Sequence, residues 1–330
     1  MKIEHFDVLL SKQSEKPYTG GETVQGHVEI SVLERVKVGR LTVKLIGQAQ
    51  TGWKNKNSEV LYESNEQVLN EYIDLTRVLT DFCDENFNLE EGLHQICFHI
   101  PLPLDVISSI EKENYGWVRY TCSATLDVLD EDASEIFAEH NFTVFSLLNL
   151  DAPYMRQPVT SHEENEIRGC CCNRKVGVES AQLTVSDMGL LPGETAKITL
   201  VIENGAKRKR RKRKSRSDCV LLSLCQQLDF LSQNRNIPEK FVVPDKYGKA
   251  NCVSAVLYLT LLQGTCKVKP GAGPETRHID FQIPAGLQPT SIKANGLITI
   301  SYFFRLDMHS FDVIVPVIIG SMKTPGPIDE

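Results

Sequence analysis

Eight consecutive cations, Lys207, Arg208, Lys209, Arg210, Arg211, Lys212, Arg213 and Lys214, are the densest chemistry in this 330-residue chain. Ser215, Arg216 and Ser217 follow them, so nine basic residues fall within positions 207–216. The formal net charge is −7 and without these nine it would be −7 − 9 = −16, so one segment opposes the rest of the molecule. A run of this kind repels itself and stays out of a packed core. It lies between the strand pattern Ala196–Asn204 and the apolar segment Cys219–Leu224, which reads as a hairpin loop. Three readings stay open. One is a solvated loop without a partner. The second is contact with anionic lipid, where each cation near the surface contributes about 1 kcal/mol. The third is an import receptor or nucleic acid, both of which read polybasic stretches. No aromatic side chain interleaves the run, which disfavours base stacking and makes nucleic acid the weaker expectation. Ser215 and Ser217 are candidate phosphorylation sites, because about −1.5 to −2 charges added there weaken an electrostatic contact.

Other reactive residue types form no working set. Cys170, Cys171 and Cys172 are adjacent, so on a strand they alternate faces, and no second Cys or His pair stands at zinc-ligand spacing. His94 and His99 differ by an odd number and face opposite ways on one strand. Gly271-Ala272-Gly273-Pro274 lacks the third glycine of a dinucleotide loop and reads as a turn. Leu147-Leu148-Asn149-Leu150-Asp151 has the pattern of a clathrin box, yet its apolar residues fit a closing core strand. No Walker loop, zinc-protease helix motif or nucleophile elbow occurs. The expectation is a chain that is not an enzyme, with no catalytic residue, metal or cofactor.

What holds these segments is strand, twice over. Gly20-Gly21-Glu22-Thr23 leads into Val24, Gly26, Val28 and Ile30 on one face, and Pro192-Gly193-Glu194-Thr195 leads into Ala196, Ile198, Leu200 and Ile202. Ile96-Cys97-Phe98-His99-Ile100-Pro101 is matched by Ile279-Asp280-Phe281-Gln282-Ile283-Pro284, each halted by a proline that cannot donate to a ladder. Val118–Cys122 is matched by Ile298–Tyr302, and Phe142-Thr143-Val144 by Phe311-Asp312-Val313. Four correspondences in one order predict two copies of one β architecture. Length agrees, at about 150 residues per domain. Val24, Val28, Phe98, Ile100, Ile198, Leu200, Phe281 and Ile283 are the predicted core.

The predicted organisation is a β domain over 1–150, a linker over 151–169 with Pro153 and Pro158, a second β domain over 170–320 with the basic hairpin loop 207–216, and a short tail, 321–330. Trp53–Ser58 reads as an exposed loop, Asp130–Asp132 as a hairpin tip, and Glu66–Phe82 is open between helix and strand. Lys2, Glu4 and Asp7 interrupt the apolar core that a signal peptide needs, and no membrane span appears. The expected location is the cytoplasm. The ten cysteines, among them Cys97, Cys122 and Cys252 in apolar strand patterns, are then reduced core thiols. By the same token the glycosylation pattern Asn141-Phe142-Thr143 is discarded.

The chain resembles the arrestin-fold proteins, and most closely the α-arrestins, the arrestin domain-containing proteins. The resemblance rests on Gly20-Gly21-Glu22, Pro192-Gly193-Glu194, Tyr115-Gly116 with Val118-Arg119-Tyr120, Leu150-Asp151 with Pro153, and Pro316–Gly320, and it covers residues 1–320. It implies an all-β fold of two tandem immunoglobulin-type β-sandwiches joined by a short hinge. It also implies an adaptor connecting membrane-protein cargo to ubiquitin ligases and endocytic sorting. The Pro-Pro-x-Tyr motif by which such proteins dock WW domains is missing, and so is a long tail to carry one. Ligase machinery is therefore expected only through a further partner. The alternative function is a nuclear or nucleic-acid-associated scaffold that uses the basic run.

Overall fold

The alternating segments fold as strands in the computed structural model, which describes residues 2–12, 16–54, 61–129, 134–168, 175–204, 219–233, 252–267, 273–291, 296–308 and 310–324. The strands in chain order are β1 (Ile3–Leu10), β2 (Tyr18–Thr19), β3 (Thr23–Val32), β4 (Val36–Lys54), β5 (Leu61–Asp74), β6 (Asn88–Leu89), β7 (Gly92–Pro101), β8 (Ile110–Lys112), β9 (Gly116–Val128), β10 (Ser134–Phe142) and β11 (Val144–Phe145). They continue with β12 (Val159–Arg168), β13 (Lys175–Val185), β14 (Gly189–Leu190), β15 (Thr195–Asn204), β16 (Cys219–Gln233), β17 (Cys252–Lys267), β18 (Glu275–Gln282), β19 (Ile298–Asp307) and β20 (Asp312–Ile319). One five-residue helix, α1 (Thr76–Thr80), follows β5, so the segment left open above is strand and then helix.

The molecule divides into two compact units. The first is Met1–Leu147 with Phe230–Ala255 and Asn295–Ile298; the second is Leu148–Asp229 with Val256–Ala294 and Thr299–Glu330. In the first unit, sheet β1-β3-β7 faces sheet β10-β9-β4-β5. The second unit has β12-β13-β15-β18 and β14-β20-β19-β16-β17. All eight predicted core residues are buried. Along the core strands, β3 and β9 for example, every second residue points inward, which is what the alternation requires.

The duplication extends to individual hydrogen bonds. Gly21 and Gly193 adopt φ of +80° and +83°, a turn conformation that glycine takes without a Cβ penalty. The carboxylates two atoms' reach away cap those turns: Glu22 Oε2 accepts from the Thr19 N–H and Glu194 Oε2 from the Leu191 N–H, both at 2.9 Å. Each carboxylate also meets a lysine, Lys12 Nζ at 2.8 Å and Lys323 Nζ at 3.4 Å. The buried hydroxyls of Tyr120 and Tyr302 donate to the Ile107 and Gln288 carbonyls, each at 2.7 Å. Burial pushes the Tyr302 phenol up to about 12, against a hydrogen bond from Gln226.

These equivalences correct the register of the sequence matches. Leu102 N–H donates to the Glu22 carbonyl as Ile283 N–H does to Glu194, so Leu102 corresponds to Ile283 and Ile100 to Phe281. The hexapeptides were therefore aligned two residues out. Tyr120 corresponds to Tyr302 rather than Ile300, again a two-residue shift. Val144 corresponds to Ile319, since each exchanges bonds with Ser109 or Thr290, so its match to Val313 was six residues out. Only the Gly-Glu-Thr turns were in true register.

Three local expectations also change. The linker is not without regular structure, because Val159–Arg168 forms β12, antiparallel to β13. Trp53 belongs to β4, its ring 5.8 Å from Tyr62, while residues 55–60 lie outside the described residues. Cys97 is exposed, whereas Cys122 is buried as expected; Cys170, Cys171 and Cys172 lie outside the described residues, as do residues 130–133.

Asp151 holds the chain near its last described residues. It accepts from the Thr324 N–H and hydroxyl, both at 2.7 Å, and from Arg156 at 2.9 Å. Leu147–Asp151 is therefore tied to these last residues, by the bridge of Asn149 to Met322 and by hydrogen bonds of Leu148 and Leu150 to Ser321 and Met322, rather than by a closing strand. The Thr324 bonds, with further help from Asn149 and Arg156, depress the Asp151 carboxyl to about 2. A depressed acid adds stability above its unfolded pKa, about 3.9, and loses it as pH falls through the folded value. Asp151→Asn should thus melt below the parent at pH 7, and the two melting curves should converge between pH of about 4 and about 2. A difference that persists unchanged at pH 2 counts against this role.

Candidate peptide-binding groove

The residues singled out by charge, Lys207 to Lys214 and Arg216 with Ser215 and Ser217, lie outside the described residues. Their flanking strands are described and correct the hairpin reading. β15 lies in the four-stranded sheet and β16 in the five-stranded one, so the run connects two sheets rather than two paired strands. The first unit makes the equivalent connection, β3 to β4, with residues 33–35 alone. Residues 205–218 serve in the second unit. Topology does not require the basic run.

A second site emerges from comparing sheet edges. Val8 on β1 lies opposite Val28, as Leu183 on β13 lies opposite Leu200, so β1 and β13 are equivalent. Likewise Phe142 on β10 lies opposite Tyr120 and Val317 on β20 opposite Tyr302, so β10 and β20 are equivalent. In the second unit β12 pairs with the outer edge of β13 and packs against β20. In the first unit no described strand occupies that place.

What stands there is a groove of about 320 Å³ between β1 and β10. Ile3, Phe6, Ile136 and Phe137 supply its apolar lining, and Glu4, His5 and Glu135 its polar part. Phe137 is 73% exposed. Ser31 donates to Glu4 at 3.1 Å, and His5 stands 3.9 Å from Glu29. Both flanking strands end their sheets, so their outward N–H and C=O groups form a template for one more strand. No Lys or Arg lines the groove, which suits an extended segment with apolar and basic side chains rather than a phosphorylated one.

A second hollow, of about 400 Å³, lies on the outer face of the same unit, lined by Gln48, Gln50, Asn65, Glu66, Gln67 and Trp117. It is preoccupied by its own side chains. Arg119 lies 4.4 Å from the Trp117 ring centre and is held by both oxygens of Glu111 at 2.8 Å. Among the described residues no cluster of His, Cys, Asp and Glu is placed to hold a metal ion. The β1/β10 groove was missed in the sequence because strand alternation is the same for an edge and a central strand; only pairing distinguishes them.

Comparison with known proteins agrees with this architecture. Residues 6–151 match the model of the arrestin (or S-antigen) N-terminal domain, and residues 178–324 that of its C-terminal domain. Arrestin domain-containing protein 17 of Caenorhabditis elegans is 28% identical over 336 residues, covering 98% of this chain and 71% of that protein. Thioredoxin-interacting protein of Mus musculus is 25% identical over 208 residues, 63% of this chain and 51% of that protein. Arrestin domain-containing protein 4 of Mus musculus is 24% identical over 213 residues, 63% of this chain and 50% of that protein. The chain thus matches about half the length of these last two.

Proposed function

The chain belongs to the arrestin family, among its arrestin domain-containing (α-arrestin) members, and from that premise we propose a non-catalytic adaptor for membrane-protein sorting. Its first unit captures an extended cytosolic segment of the cargo by strand addition. The observation that carries the reading is the open place between β1 and β10, which β12 fills in the other unit. An arriving strand completes the ladder with backbone bonds and sets alternate side chains into the Ile136–Phe137 groove. Glu4 and Glu135 favour basic residues on it.

The basic run supplies a second contact, with an anionic leaflet, while the groove holds cargo. Weighing for this is its redundancy to the fold: residues 33–35 make the equivalent connection in the first unit. Residues 1–330 carry no Pro-Pro-x-Tyr motif, so a ubiquitin-dependent step that uses these residues would pass through a partner. No helix among the described residues is long and apolar enough to cross a membrane.

The test uses vesicles displaying lipid-anchored tail peptides of membrane proteins, with and without anionic lipid. Phe137→Glu should weaken peptide capture on neutral vesicles by about thirtyfold, the equivalent of a roughly 2 kcal/mol anchor. Phe137 is exposed, so the fold should survive the change. Changing Lys207–Lys214 to Gly/Ser should leave neutral-vesicle capture intact and abolish the gain from anionic lipid. That gain should also shrink as salt shortens the Debye length from about 10 Å at 0.1 M to about 3 Å at 1 M. Capture indifferent to Phe137→Glu removes the groove, and an anionic gain that survives loss of the run, or ignores salt, removes the membrane contact.

A further inference from the structure

Every strand that ends a sheet faces the risk of pairing with whatever strand it meets, and natural edges carry charge against it. Among the described terminal strands, β1 has Glu4 and Asp7, β5 has Glu63, Glu66 and Glu71, and β10 has Glu135 and Glu139. β12 has Glu163 and Glu164, and β18 has Arg277 and Asp280. β7 lacks such charges but buries Ile96, Phe98 and Ile100 on one face, shows Gln95 and His99 on the other, and ends at Pro101.

β17 has neither protection before its last residue, Lys267. It ends the five-stranded sheet of the second unit, and the sequence carries no charged residue from Asn251 to Cys266. None of its side chains from Val256 to Thr265 is buried. Leu257, Leu259 and Leu261 are half-buried on one face. On the other, Val256 is 41%, Tyr258 62% and Leu262 40% exposed. The Tyr258 ring meets the Phe303 ring edge-on, 6.1 Å away. The strand at the same place in the first unit is β5, since β4 and β16 pair with the equivalent β9 and β19. β5 carries Glu63, Glu66 and Glu71, whereas β17 is uncharged from Cys252 to Cys266.

We infer that β17 is a self-association edge, pairing antiparallel with β17 of a second copy of this chain to join two five-stranded sheets. The occupant must be apolar on both faces and must tolerate an uncharged ladder, and β17 itself meets both conditions. Around a two-fold axis each residue of one strand opposes a residue of the same run in the other, so no like-charge pair arises in any register that keeps the ladder within residues 252–266. Pairing β17 with any of the other described edges would instead set its leucines against charged or polar side chains. A ladder of about ten residues buries on the order of 1,000 Å², the low end for specific interfaces, so a micromolar dimer is expected.

Sedimentation velocity on the full chain, from about 1 to 200 µM, reads the outcome as mass rising from 37.1 kDa towards twice that value. Raising salt to about 0.5 M should leave the dimer unchanged or tighter, because the interface is apolar and the copies share a net negative charge. Tyr258→Lys with Leu262→Lys should return the monomer with the melting temperature of the parent; Leu262→Lys alone serves if the pair fails to fold. Four results overturn the inference. They are a monomer throughout, a dimer indifferent to these lysines, a dimer dissolved by salt, and β17 amides protected from hydrogen exchange in the monomer. The last would mean that another segment of the same chain already covers the edge.

Discussion

Phe281→Ala is expected to lower the stability of the second unit by about 3–5 kcal/mol. Phe281 is 6% exposed on β18, and its ring stands edge-on to Phe304, 5.1 Å away on the facing sheet. Phe304 is fully buried, so truncating its partner removes one wall of the contact between sheets. The residue opposite Phe281 within its own sheet is Ala196, which has no side chain to move into the void. In the first unit the equivalent pair is Ile100 opposite Val24, so the same space is filled there by two medium side chains instead of a large and a small one. The cost should therefore sit at the cavity-forming end of the range, and Phe281→Leu should cost far less. Both tryptophans, Trp53 and Trp117, belong to the first unit, so circular dichroism reads the change where tryptophan fluorescence does not. A loss under about 1 kcal/mol would mean that the site collapses around the alanine.

That pair also shows what a sequence can and cannot disclose. Which residues face inward was legible, because period-two alternation states it residue by residue. Which residue of one half matches which in the other was not. A shift by two leaves every side chain on its original face, so Phe98 against Phe281 looked as good as the true match of Ile100 to Phe281. Turns escape this degeneracy, since a positive φ at Gly21 or Gly193 and a capping glutamate three residues after Thr19 or Leu191 tolerate no slip. Strand β12 was illegible for a related reason. His162, Glu163 and Glu164 give an edge strand little apolar alternation, and edge strands are the ones that charge keeps from aggregating. The groove between β1 and β10 depends on the absence of a strand, which no local pattern records. The basic run was the opposite case, vivid in the sequence but wrongly placed in a hairpin. Two consecutive strand patterns do not reveal that the chain changes sheets between them.

The same internal comparison predicts a second large effect, at Gly26. Glycine within a strand normally weakens it, so replacing it with a β-branched residue would ordinarily stabilise. Here the sign should reverse. A Cβ at Gly26 would stand 2.3 Å from the Leu9 carbonyl oxygen and 2.8 Å from the Phe98 ring. The ring can swing aside, but the carbonyl belongs to β1 and moves only if that strand shifts. Gly26→Ile should therefore cost about 3 kcal/mol or more, at or beyond the upper end for overpacked cores. In the second unit the equivalent pair is Ile198 opposite Ile279, against Gly26 opposite Phe98 in the first. Gly26→Ile with Phe98→Ile thus transplants a working pair. It should recover the part of the loss due to the ring and leave the part due to Leu9. Because β1 is one wall of the groove, the residual shift should also reach peptide capture. Chemical denaturation and the tail-peptide vesicle assay on the two variants measure both effects. Full recovery of stability by the double variant would show that the ring alone blocks Gly26, and peptide capture unaltered in the single variant would show that β1 does not shape the groove.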